Sequence, residues 1–220
     1  TPLATISTDV FKRLDLPDGS VVRLNAGATM AYEFEPAHRA VRLLRGEAHF
    51  TVAKDPTRPF TVEASGVVAK AVGTAFSVSR RNDAVEVIVT EGRVQLDGES
   101  IRTIPELAAG DKVVVTLPPT AAKADAAPVR LSAAQLHSAL AWQERVLAFD
   151  AAPLTEIVAE FNRHNSHQLV IDDPSLAGRR FGGSFRADDP EGFVALLAAT
   201  AQVVPQRRAS TTHLRSASSK

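Results

Sequence analysis

The chain has 220 residues, 45% of them hydrophobic, which is enough apolar material for a sizeable core in one domain or two. Its 25 Lys and Arg balance 25 Asp and Glu, arguing against bulk electrostatic attraction to nucleic acid or anionic lipid. Cysteine is absent, which removes disulfides, zinc–thiolate sites and thiol catalysis together, and no run of 18 apolar residues is present to span a bilayer as a helix. No signal-peptide pattern stands at the start, and the opening Thr1-Pro2 without an initiator Met reads as a segment of a longer protein.

From Leu16 to Leu117 apolar residues alternate with period two, the mark of half-buried strands. Met30, Tyr32 and Phe34 share a face, as do Ala48, Phe50 and Val52, then Phe60, Val62 and Ala64, then Val85, Val87 and Val89. Turn signals separate the runs: Pro17-Asp18-Gly19, Lys54-Asp55-Pro56, Ser65-Gly66, Arg81-Asn82-Asp83 and Asp97-Gly98. Their spacing of about ten residues leaves no room for crossover helices and predicts a stacked or sandwich-like antiparallel β domain over residues 1–117. Two runs, VRLLRGEAHFTV (41–52) and VIVTEGRVQL (87–96), are each broken by a glycine, Gly46 and Gly92, with mirrored charges around it. Glycine inside a strand pattern marks a bulge or corner, so two matched corners are expected. Stacking of the corners would set Arg45 against Glu91 and Glu47 against Arg93; ordinary solvated charges are the alternative.

Residues 118–130, PPTAAKADAAPVR, read as a Pro/Ala-rich linker. A small α+β domain of βαβ-βαβ type is expected over 131–210, opening with a helix near Ser132. RVLAFD then reads as a strand whose Asp150 caps the next helix, with Pro153 in the first turn and Leu154, Ile157, Val158 and Phe161 on one face. HQLVID and RRFGGSFRA read as strands, Asp188-Asp189-Pro190 as a second helix start, and Phe193, Leu196, Leu197 and Thr200 as that helix's face. AQVVPQRR and THLRSA read as closing strands, although residues 211–220 also read as a basic tail.

The segments LPDGSVVRLNAGATMAY, VRLLRGEAHFTVAKDPTRPFTVEA, AVGTAFSV and VEVIVTEGRVQL together resemble the periplasmic domain of the FecR family, regulators of extracytoplasmic-function sigma factors in cell-surface signalling. The second half resembles the short STN domain of secretins and TonB-dependent receptors. The resemblance implies an anti-sigma regulator held in the inner membrane by one helix, with a cytosolic sigma-binding segment that this chain lacks. It implies that this part, in the periplasm, receives a signal from the N-terminal domain of an outer-membrane TonB-dependent transducer, as in regulation of iron and siderophore uptake.

An edge strand is a template for adding a partner's strand. The edge is expected at Gln168–Asp172 or Gln202–Arg207, with Gln168, Leu169, Val170, Ile171, Val203, Val204 and Arg207 as partner-binding residues and Pro205 on an edge. The rival expectation is a self-cleaving or metal-dependent hydrolase, with Gly73-Thr74 as the self-cleavage pair. Some relatives are thought to cleave themselves at a Gly-Thr bond, by attack of the threonine hydroxyl on the preceding carbonyl; the structural alternative is a glycine bulge before a β-branched residue. His164 and His167, like His38 and His49, lack the partners a metal site needs. No Gly-x-Ser-x-Gly elbow is present, and Trp142 reads as a core anchor. One Trp and one Tyr make a sugar-stacking surface a poor reading. No enzyme activity, cofactor or metal is expected.

Overall fold

A computed structural model describes residues 4–98, 101, 104–117 and 127–217. The chain is mostly β and divides into two compact units: Thr1–Phe11 with Asp15–Ala141, and Lys12–Leu14 with Trp142–Lys220. Among the described residues no helix is long and apolar enough to cross a membrane.

The first unit begins with β1 (Ala4–Ser7), β2 (Lys12–Asp15, mostly counted with the second unit), β3 (Val21–Leu24), β4 (Thr29–Phe34) and β5 (Arg39–Thr51). There follow β6 (Phe60–Ala64), β7 (Val67–Ala71), β8 (Ala75–Arg80), β9 (Ala84–Glu91) and β10 (Arg93–Asp97). It closes with β11 (Ile104–Ala108), β12 (Asp111–Thr116), β13 (Val129–Arg130) and helix α1 (Ala133–Leu140). The long strand β5 belongs to two hydrogen-bonded layers. Its first half, Arg39–Arg45, pairs with β4 and, in parallel, with β6, continuing through β7 and β10 to β11. Its second half, Gly46–Thr51, pairs with β3 and with β8, continuing through β9 and β12 to β13.

Gly46 makes this change of layer. Its φ is +81°, and a Cβ there would lie 2.7 Å from Ala28 Cα, a region and a distance open only to glycine. Gly92 repeats the operation: at φ +74° it carries the chain from β9 in one layer to β10 in the other. The matched corners are therefore present. The mirrored charges have other partners: Arg93 pairs with Glu106 at 3.1 Å and Glu47 accepts a hydrogen bond from Asn25 at 3.2 Å. Arg93 and Glu106 are both exposed, so their pair contributes about 0–1 kcal/mol.

The core lies between the layers. Phe50 and Phe76 of one stack at 5.4 Å, and Phe50 meets Phe60 of the other at 6.0 Å. All three are fully buried, each contributing roughly 1.5–3 kcal/mol. One charge is buried with them. Arg39 is 0% exposed and its Nη1 donates to Asp18 Oδ2 at 2.7 Å and to the Ala53 carbonyl at 3.0 Å. Its Nε donates to the Arg58 carbonyl at 2.9 Å, and its guanidinium lies 5.4 Å from the Phe60 ring centroid. Asp18 also accepts from the Ser20 amide and hydroxyl. The Pro17-Asp18-Gly19 turn, legible only as punctuation, thus holds an internal ion pair.

The anticipated linker lies mostly outside the described residues. Its last two, Val129 and Arg130, form β13 against β12, and α1, capped by Ser132 in a capping box with Gln135, also counts with the first unit.

The second unit runs β14 (Val146–Pro153), α2 (Leu154–His164), β15 (Gln168–Ile171), α3 (Pro174–Ala177), β16 (Arg180–Arg186), α4 (Pro190–Thr200), β17 (Val203–Arg207) and β18 (Thr211–Ser216). The strands that flank α2 lie in different sheets, as do those that flank α4: β14 pairs with β16, and β15, β18 and β17 form a second sheet in that order. The core is aromatic, with Phe161 stacked on Phe193 at 5.1 Å and Phe185 edge-on to Phe193 at 5.0 Å.

Leu154, Ile157, Val158 and Phe161 are buried as their helical spacing requires. Asp150 is no cap: the strand continues through a shift at Ala151 (φ +48°) to Pro153, which itself starts α2. Asp189 does cap α4, accepting from the Gly192 amide, with Pro190 in its first turn. In that helix Phe193 and Leu197 are buried as expected, whereas Leu196 and Thr200 are exposed and Val194 is buried in their stead. The basic-tail reading of 211–220 gives way over its described part: Thr211–Ser216 is the central strand of its sheet, with Thr212 and Leu214 wholly buried, and residues 218–220 lie outside the described residues.

Candidate functional site

The residues expected to bind a partner stand on two opposite edges of one three-stranded sheet. In β15, the amides of Gln168 and Asp172 donate to Ser210 and Leu214 carbonyls across to β18. Successive residues of a strand direct their backbone groups alternately, so those of Leu169 and Ile171 point to the outer edge. There the Asn162 side chain closes on Leu169, accepting from its amide at 2.7 Å and donating to its carbonyl at 2.8 Å. A side-chain amide thus takes the place of a neighbouring strand. Gln168 is engaged as well, its Nε2 donating to the Asn162 and Asn165 carbonyls. Asn162 escaped the sequence reading, because a polar residue near a helix end carries no sign of facing a strand.

β17 is different. The Arg208 amide donates to Thr211 and the Ala217 amide to Gln202, so even-numbered residues bond to β18 while Val203, Pro205 and Arg207 point their backbone outward. Pro205 therefore lies on an edge, where its missing N–H costs no ladder bond. Val203 is buried beneath the sheet, Val204 is 45% exposed on the outer face, and Arg207 pairs with Glu191 at 2.7 Å.

On the outer face His213 Nδ1 lies 2.8 Å from Asp172 Oδ1, and Arg215 Nε donates to Asp172 Oδ2 at 3.0 Å. Hydrogen bonds from His213 and Arg215 hold the Asp172 carboxyl below its ordinary range. Beside them opens a cavity of about 570 Å³ bounded by Asp172, Pro174, Val204, Gln206, Arg215 and Ala217.

His164 and His167 turn to different partners, Glu160 at 3.0 Å and Thr212 at 2.8 Å. His38 lies 3.4 Å from Glu35, and His49 is buried against Thr90 at 3.2 Å. Trp142 is half-buried.

In the first unit Gly73 has φ +106°, and a Cβ there would fall 2.9 Å from Lys54 Cβ. Thr74 is buried, its carbonyl accepting from the Val52 amide at 2.9 Å and its Cγ2 filling the space above Gly92. Thr74 Oγ1 is buried without a hydrogen-bond partner among the described residues. The adjoining cleft, about 320 Å³, is lined by Lys70, Arg93 and Glu106 among others. These charges are already engaged, Arg93 with Glu106 and Lys70 with Asp97 at 3.4 Å. Gly73-Thr74 lies in the bend between β7 and β8, where the positive φ and the close approach of Lys54 call for glycine.

Residues 4–95 match the family model described as FecR protein. Two crystal structures of a "putative anti-sigma factor" from Parabacteroides distasonis ATCC 8503 are similar over nearly the whole length. One, at 25% identity and TM-score 0.57, matches 98% of this chain and 99% of its own. The other, with the same coverage, has 24% identity and TM-score 0.56 and bears on fold alone. No curated protein sequence matches significantly.

Proposed function

Residues 4–95 are a FecR-family segment, and from that premise we propose that the chain is the periplasmic sensing part of a membrane-anchored anti-sigma regulator. It relays a signal from the N-terminal domain of an outer-membrane TonB-dependent receptor to an extracytoplasmic-function sigma factor, in control of iron or siderophore uptake. The sigma factor is held by a cytosolic segment outside this chain. The second unit plays the part of an STN-like docking module. The observation that carries the reading is the family match together with end-to-end similarity to an anti-sigma-like structure.

The mechanism follows from the surfaces. The first unit is a β body closed around an aromatic core, suited to holding shape. The second presents sheet edges, where backbone groups supply affinity and side chains supply choice. No bond is made or broken in this scheme, and Gly73 and Thr74 serve the fold. The test is calorimetric titration of the chain with the N-terminal domains of the TonB-dependent receptors encoded in the same genome. One-to-one binding to one of them is expected; no heat and no co-elution with any of them at high micromolar concentration would refute it.

A further inference from the structure

Within that reading, on which this inference rests, we propose that the partner docks as an extended strand on the outer edge of β17. It lays an apolar side chain beside Val204 at the 570 Å³ cavity and an acidic one beside Arg208. Three observations select this edge. Asn162 already occupies the backbone groups of Leu169, so β15 offers an obstructed edge. The β14–β16 pair breaks register between Phe149 and Ala152, with Ala151 at φ +48° and Gly183 at φ +141°, so neither of its edges is a regular ladder. β17 keeps an unbroken register of five pairs with β18.

An antiparallel strand added there would exchange two hydrogen bonds each with Val203 and Arg207 and donate one to the Pro205 carbonyl. Side chains opposite Val204 and Gln206 would lie on the outer face, since residues alternate across a sheet. Val204 is half-exposed at the wall of the cavity, and Arg208 is exposed with no ion pair among the described residues. Arg207 is already neutralised by Glu191, so the acidic preference falls on Arg208. The order along the incoming strand is acidic residue first, apolar residue four positions later.

The test uses the full 220-residue chain in two arms: millimolar synthetic peptide Glu-Thr-Thr-Val-Ile-Thr with blocked ends, and the receptor N-terminal domain. Amide exchange read by NMR is expected to slow about tenfold or more at Val203 and Arg207 in both arms, with Leu169 and Ile171 unchanged. Val204→Glu and Arg208→Glu, both at exposed positions, are expected to weaken binding about tenfold, and a Lys-for-Glu peptide to regain affinity for Arg208→Glu. A peptide that protects no amide at millimolar concentration, or only those of β14, β15 or β16, overturns the assignment. A receptor domain that binds while protecting another surface overturns this inference and leaves the regulatory reading standing; one that does not bind at all sinks the reading itself.

Discussion

Removing the Asp18 carboxylate isolates a buried cation, and the effect can be worked from the contacts. In Asp18→Ala, Arg39 keeps its bonds to the Ala53 and Arg58 carbonyls and its place over Phe60, but loses its only anionic partner among the described residues, at 2.7 Å. The Ser20 amide and hydroxyl lose their acceptor too. Both charged side chains are almost wholly buried, at 0% and 2% exposure, so solvent screening does not soften the loss. Breaking a buried pair on one side costs about 3–5 kcal/mol. At roughly 3 °C per kcal/mol for a unit of this size, the melting transition should fall by about 10 °C. Near-UV circular dichroism suits the measurement, since the chain's one Tyr, Tyr32, packs 5.4 Å from Phe34 in this unit. The double variant Asp18→Ala/Arg39→Met removes the stranded charge and should melt above Asp18→Ala alone. A single-variant shift below about 2 °C, or a double variant that melts lower still, would refute the reasoning.

Gly46→Ala forces a Cβ against Ala28 at φ +81°, whereas Gly27→Ala has a similar φ (+78°) and open space; both should destabilise, Gly46→Ala by clearly more than the roughly 1–3 kcal/mol of backbone strain alone, as urea midpoints would show. Burial, and then the nearby Arg23, lower the His49 pKa from 6.5 to about 4. The unfolded chain therefore takes up the proton first, so His49 is neutral in both states above pH 6.5 and removes about 3 kcal/mol as pH falls through that window to 4. His49→Leu should flatten the difference in urea midpoint between pH 7 and pH 4; an unchanged slope would contradict it. On a denaturing gel the chain should run as one band at 23.4 kDa; two fragments that disappear in Thr74→Ala would establish self-cleavage instead.

What could be read from the residues was what local periodicity encodes. Val85, Val87 and Val89 alternate and are wholly buried, and Gly46 and Gly92 stand where an apolar run must turn. The pairing of β5 with two layers is non-local and leaves no mark in its own thirteen residues. Arg39 looks like any surface arginine until the turn at Asp18 folds onto it. The last strand reads two ways because TTHLRS has only two buried positions, Thr212 and Leu214, among polar neighbours. Asp150 misled because a helix cap and a strand residue before a bulge share the same sequence, Asp-x-x-Pro. In the three-stranded sheet, Pro205 announced an edge, but the contrast between the two edges depends on Asn162, whose reach to Leu169 exists only once α2 and β15 are side by side.

A strand shared by two sheets acts as a seam. Neither layer of the first unit can be peeled away without tearing the other's pairing along β5, so the body behaves as a single clasp rather than two leaves. Split at Gly46, the chain should fail to reassemble from its fragments, whereas a nick in a peripheral hairpin should be tolerated.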